Sequence, residues 1–178
     1  MVVALRAADQ AAQPGDTSAL EYKVKAGYLF NFAKVVEWPA ASLPAPDSPF
    51  VIGVLDRGEA LPVVRTLLEG RDVNGHPVRI KAVAAGNVGS DFHILFVTRT
   101  AGEVPEKIHA SLGGSATLLV GETEGFAQHG GILNFVMVED SVKFEANPVA
   151  AGRSHLGLGS QLLKLAIIVK DGSPAERP

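Results

Sequence analysis

The sequence contains no cysteine, which excludes a disulfide framework, a thiolate metal site and a cysteine nucleophile together. Compartment stays open, because a domain with a full-sized core does without disulfides even in an oxidising space. A positive excess is missing too: 16 lysines and arginines stand against 19 aspartates and glutamates, for a net charge of −3. With the basic residues scattered along the chain, there is no stripe to displace counterions from a phosphate backbone, so no nucleic-acid partner is expected. Long apolar runs are absent. Phe50 to Leu55, Ile94 to Val97 and Leu165 to Val169 fall far short of the roughly 20 residues that cross a bilayer, so no membrane insertion of its own is expected. The opening stretch, Met1 to Asp9, lacks a basic region followed by a full apolar segment and is no working signal peptide. The alanine-rich run Ala4 to Ala12 is read as the stump of a removed one.

What is present suits one globular domain. Apolar residues make up 47% and charged residues 20% of 178, and a chain of this size buries about two-thirds of its unfolded surface. Residues 1–17, rich in Ala, Gln, Gly and Pro, are expected to be a mobile arm, residues 18–170 a single α/β domain, and residues 171–178 a flexible tail. Ser18 and Glu21 are spaced as a capping box. A helix from 18 to about 37 follows, with Leu20, Val24, Tyr28 and Val35 and the aromatics Phe30 and Phe32 forming an apolar stripe expected inside; Tyr28, Phe30 and Phe32 exceed what one stripe needs, which leaves part of that set to face a partner. Pro39 stops it.

Phe50 to Leu55 reads as a central strand, Leu61 to Leu68 as a short helix, and Asn74-Gly75 as a turn before the half-wet strand Val78 to Val83. Phe92 to Val97 and Ala116 to Val120 are further strands, with a helix at Pro105 to Leu112 between them. A helical turn at Gly125 to His129 comes next. Ile132 to Val138 and Val142 to Ala146 form a hairpin about Glu139-Asp140-Ser141; Asn147 then caps a helix opened by Pro148, and Ser160 caps a last one. This order predicts an α/β fold: a mixed, mostly parallel sheet covered by helices on both faces, with an antiparallel hairpin near the C-terminal part.

Signals of chemistry are weak. His76, His93, His109, His129 and His155 stand apart without ligand spacing, and His93 inside an apolar strand reads as a hydrogen-bonded core residue. No nucleophile elbow, phosphate loop or dinucleotide fingerprint follows a predicted strand. Gly152 to Gly159 reads as a bend, and Glu139 and Asp140 as a charged turn. No residue is therefore assigned to catalysis, to a cofactor or to a metal, and the chain is read as a binding protein, not an enzyme.

Three stretches together resemble the YfiR family of small exported bacterial proteins. They are Lys25-Ala-Gly-Tyr-Leu-Phe-Asn-Phe-Ala-Lys-Val-Val-Glu-Trp-Pro39; Gly70-Arg-Asp-Val-Asn-Gly-His-Pro-Val78 with Asp91-Phe-His-Ile-Leu-Phe-Val97; and Phe126-Ala-Gln-His-Gly-Gly-Ile132 through Val142-Lys-Phe-Glu-Ala-Asn147 to Ser160-Gln-Leu-Leu-Lys-Leu-Ala166. The resemblance implies a periplasmic repressor that occupies the periplasmic domain of an inner-membrane diguanylate cyclase and lowers cyclic-di-GMP output and biofilm formation. It also implies a homodimer and no intrinsic catalysis. Some members carry redox-active cysteines, and this chain has none.

Beside that resemblance, Phe30, Trp38, Phe144, Glu145 and Asn147 are the positions expected to meet a partner. Trp38 reads either as a core anchor or an exposed hot spot. Glu145 reads as an exposed carboxylate for a partner's arginine, while capping explains Asn147 equally well. The alternatives are a small-ligand domain with a cleft at the strand ends, or an enzyme with a dispersed site.

Overall fold

The computed structural model describes residues 14–43 and 45–172. Helix α1 (Pro14–Val35) opens it and runs straight into strand β1 (Val36–Glu37). Then come β2 (Phe50–Leu55), α2 (Ala60–Leu68), β3 (Asp72–Val73), β4 (His76–Val83), β5 (Ile94–Val97), α3 (Pro105–Leu112) and β6 (Leu118–Gly121). The remainder is β7 (Leu133–Val138), β8 (Ser141–Ala146), α4 (Pro148–Arg153), β9 (Gly157–Leu158), α5 (Ser160–Leu165) and β10 (Ile167–Ile168).

Eight strands form one sheet in the order β10-β8-β7-β6-β5-β2-β4-β3, and β1 pairs separately with β9. From β4 through β2, β5 and β6 to β7 every pairing is parallel. The β7–β8 and β3–β4 pairings are antiparallel. All six residues of β2 are buried, as a strand flanked by neighbours and covered on both faces requires. One core packs α1, α2, α4 and α5 against one face of the sheet. The second lies on the opposite face, where Ile108 and Leu112 of α3 and Phe126 meet Leu55, Leu95, Val97 and Leu119. Phe126 fits only because glycine flanks it: a Cβ on Gly121 or Gly131 would stand 2.2 or 2.3 Å from its ring.

Several local expectations change. The first helix is helical already at Pro14, so Ser18 lies within it and caps nothing, and Glu21 is drawn into an ion pair instead. The helix ends at Val35, because Val36 and Glu37 pair with Leu158 and Gly157. The hairpin turn is the two residues Glu139 and Asp140, both at positive φ, with Val138 opposite Ser141, the geometry that matches strand twist. Ser160 begins α5 but makes no capping bond, whereas Asn147 does cap α4, its side chain accepting from the Ala150 N–H at 3.0 Å. Of the residues expected in the arm, 1–13 lie outside the described residues. In the expected tail, 173–178 do likewise, while Asp171 is held by Asn147 and Arg153.

Candidate functional site

Open α/β sheets bind ligands at the carboxyl ends of strands where the chain order reverses. Here that point lies between β2 and β5, since β4 follows β2 on one side and β5 on the other. Asp56 ends β2, Thr98 and Arg99 follow β5, and Glu122 follows β6. From across the sheet α1 contributes Glu21, Tyr22 and Lys25. The Lys25 ammonium, 2% exposed, bonds both Glu21 and Glu122. Glu122 also accepts from the Tyr22 hydroxyl at 3.0 Å and the Arg99 backbone N–H at 2.8 Å, and Arg99 reaches Glu21.

These groups are spent on one another. Burial, reinforced by Glu122, pushes the Tyr22 hydroxyl above its usual range, so it stays a donor. Burial alone would raise Glu21, but Lys25 and Arg99 hold it below the ordinary carboxylate value. Burial would likewise raise Asp56. Bonds from the Leu61 N–H at 3.1 Å and the Thr98 and Thr100 hydroxyls at 2.8 Å each bring it below normal instead. The cluster ties α1 to the strand ends and anchors the start of α2. Among the described residues no group of three or more His, Asp or Glu side chains is placed to hold a metal ion.

The residues expected to meet a partner divide. Phe144, Glu145 and Asn147 are buried. Phe144 packs on Tyr28 and Phe32 of α1. Glu145 accepts from Asn134 at 2.9 Å and Gln128 at 3.4 Å instead of standing exposed. Asn147 donates to the Ala127 carbonyl and to Asp171, both at 2.8 Å. Trp38 is half-buried and takes the core role. Its indole N–H donates to the Ala33 carbonyl at 3.1 Å, and its ring meets Phe50 and His93 edge-on. Phe30 is half-buried at the surface of α1, with the cations of Lys34 and Arg71 4.9 and 4.1 Å from its ring centre.

A stretch of exposed apolar surface lies elsewhere on α1. The buried stripe is Tyr22, Ala26, Leu29, Phe32 and Ala33, continued by Val36 of β1, with Lys25 inside it. Leu20, Val24 and Val35, expected inside, are 61, 42 and 41% exposed. The two stripes share the spacing of three and four, and the larger one wins. Tyr22 and Phe32 bury more area than valines, and Phe32 packs on Phe135 and Phe144.

The outer face therefore carries Leu20, Gly27 and Asn31 along its centre, with Val24 and Val35 on one border. Past that border Tyr28 donates to the Val142 carbonyl at 3.3 Å. Val142 stands opposite Met137, which is 52% exposed, so apolar surface continues from helix to hairpin. On the other border Lys23, Phe30 and Lys34 meet Arg71.

A cleft of about 290 Å³ opens at the other end of the sheet, lined by Ser42, Asp91, Phe92, His93, Ser115 and Thr117. Much of its polarity is occupied. His93 Nδ1 accepts from the Val51 N–H at 3.0 Å and its Nε2–H donates to the Ser42 carbonyl at 2.8 Å, while Thr117 donates to the Phe92 carbonyl at 2.7 Å.

The family model described as YfiR/HmsC-like matches residues 22–167, which includes α1 from Tyr22 onward. No curated protein matches the chain.

Proposed function

We propose, given that the chain belongs to the YfiR/HmsC-like family, that it is a periplasmic regulatory protein restraining an inner-membrane diguanylate cyclase. It binds the cyclase's periplasmic domain, lowers cyclic-di-GMP and biofilm formation, and acts as a homodimer without a reaction of its own. The observation that supports this reading best is the reversal on α1: Lys25 is sealed inside while Leu20, Val24 and Val35 face solvent. A helix that hides a charge and displays aliphatics breaks the rule of its own fold, and such breaks gather where function demands them. Covering the exposed half of such a valine or leucine is worth about 1 kcal/mol, which makes this face a natural docking surface.

The test is cyclic-di-GMP synthesis by the full-length cyclase in membranes, with the purified chain added. Synthesis should fall in a saturable way, and deleting the gene should raise cellular cyclic-di-GMP. Unchanged synthesis together with unchanged cellular levels would sink the proposal. A second reading, a small-ligand domain, is favoured by the cleft at Ser42 and His93; a thermal shift with a metabolite panel tests it.

A further inference from the structure

Resting on that regulatory reading, we infer that the outer face of α1 receives a helix of the partner protein that carries aliphatic side chains along its centre and carboxylates along one flank. Three observations specify this occupant. The first is the glycine at position 27. It sits in the middle of a 22-residue helix, where glycine is less favourable than alanine by about 0.5–1 kcal/mol. Nothing among the described residues requires it, because a Cβ there would meet none of their atoms within 4 Å. An open glycine between Leu20 and Asn31 lets a second backbone come close, as a side chain would not.

The second is charge. Lys23, Lys34 and Arg71 line one border, and among the described residues none of them forms a salt bridge. Among the described residues, Glu21 is paired with Lys25 and Arg99, and Asp72 accepts from the Gly75 N–H at 3.0 Å and makes no ion pair with this border. A carboxylate flank on the incoming helix would complement this border and set its direction. The third is the opposite border, where Val24, Val35 and Met137 present only apolar surface. The face is thus one-sided, so an occupant with acid on both flanks fits worse than one with acid on a single flank. An anionic membrane surface would use the same cations and aliphatics, but it has no use for a groove at Gly27.

The experiment measures binding of the full chain to the purified periplasmic domain of a diguanylate cyclase from the same organism, and separately to vesicles containing anionic phospholipid. Variants are Gly27→Leu, which fills the groove, and the charge reversal Lys23→Glu/Lys34→Glu, with thermal melting as the check that each is folded. A third variant, Gly27→Ala, is small enough to keep the groove largely open. The inference predicts that Gly27→Leu and the double reversal each weaken domain binding at least tenfold, while Gly27→Leu melts at or above wild type and the double reversal, which gives up the Lys34 contact with Phe30, still melts cooperatively as a folded protein. Gly27→Ala should bind within about threefold of wild type. Raising the salt should weaken wild-type binding and leave the reversed variant nearly insensitive. Domain binding that is equal in all variants overturns the inference and leaves the regulatory reading standing. Absence of domain binding by the wild type overturns both. Vesicle binding that is lost on charge reversal but kept by Gly27→Leu overturns the helix in favour of a lipid surface.

Discussion

Lys25 and Glu122 meet in the interior between α1 and the end of β6, with the lysine 2% exposed and the Glu122 side chain fully buried. The pair is held on all sides, by Glu21, Tyr22 and the Arg99 backbone. That network fixes the rotation of α1 about its own axis. With Lys25 committed inward, Leu20, Val24 and Val35 are committed outward.

Breaking a buried pair by removing one member leaves the other charge stranded. Lys25→Met is therefore expected to destabilise the fold by about 3 kcal/mol, read from urea unfolding. Adding Glu122→Gln to that variant should cost less than Glu122→Gln does alone, since the two share one interaction. Strict additivity of the two losses would show that the pair is not coupled.

Gly27→Ala should stabilise the protein, by about 0.5–1 kcal/mol, because the position is helical and its Cβ meets open space. The urea midpoint should rise with an unchanged slope. A fall would mean that α1 is already closely covered at this position.

Asn147→Ala should cost about 2–3 kcal/mol. The side chain caps α4 through Ala150 and donates to Ala127 and Asp171, so truncation leaves several groups without partners in a buried place. Equilibrium unfolding measures it, and a loss below half a kcal/mol would contradict the assigned bonds.

Burial, joined by the nearby His76, lowers the His93 pKa below its ordinary 6.5, outweighing the bond the ring donates to Ser42. The unfolded chain then takes up this proton more readily than the folded one, so the stability it contributes is present above pH 6.5 and is lost as pH falls below it. Asp56, Glu21 and Asp171, held below their ordinary values, act in a separate window, below about pH 4.5. Between pH 7.5 and 5.5 the urea midpoint of the wild type should drop more than that of His93→Asn. Equal drops would mean that His93 is not the group responsible.

Much of this fold could be read from residue order. The run Phe50 to Leu55 marked the central strand, and Pro105 with Gly113 bracketed α3. Asn147 before Pro148 announced a cap that α4 uses. The rotation of α1 could not be read in the same way. Two stripes with similar spacing competed, and the buried one was disguised by Lys25, whose partner Glu122 lies about a hundred residues away. Only a sheet that brings the ends of β5 and β6 beneath α1 makes that lysine affordable inside. Glu145 misled for the same reason, since its donors Gln128 and Asn134 come from other elements. The exposed face was not read from the sequence; the signal that could have pointed to it is Gly27, a glycine in mid-helix.

Because the chain has no native cysteine, a single introduced thiol reports on one place. Asn31→Cys puts it at the centre of the outer face of α1, and Ser111→Cys puts a control on α3, across the sheet. The decisive measurement is the rate of maleimide labelling of each, with and without a saturating amount of the cyclase periplasmic domain. Labelling at position 31 should slow at least tenfold in the complex while position 111 is unaffected. Formation of a complex in which both positions label at their free rates would contradict the claim that this helix face is where the protein meets its target.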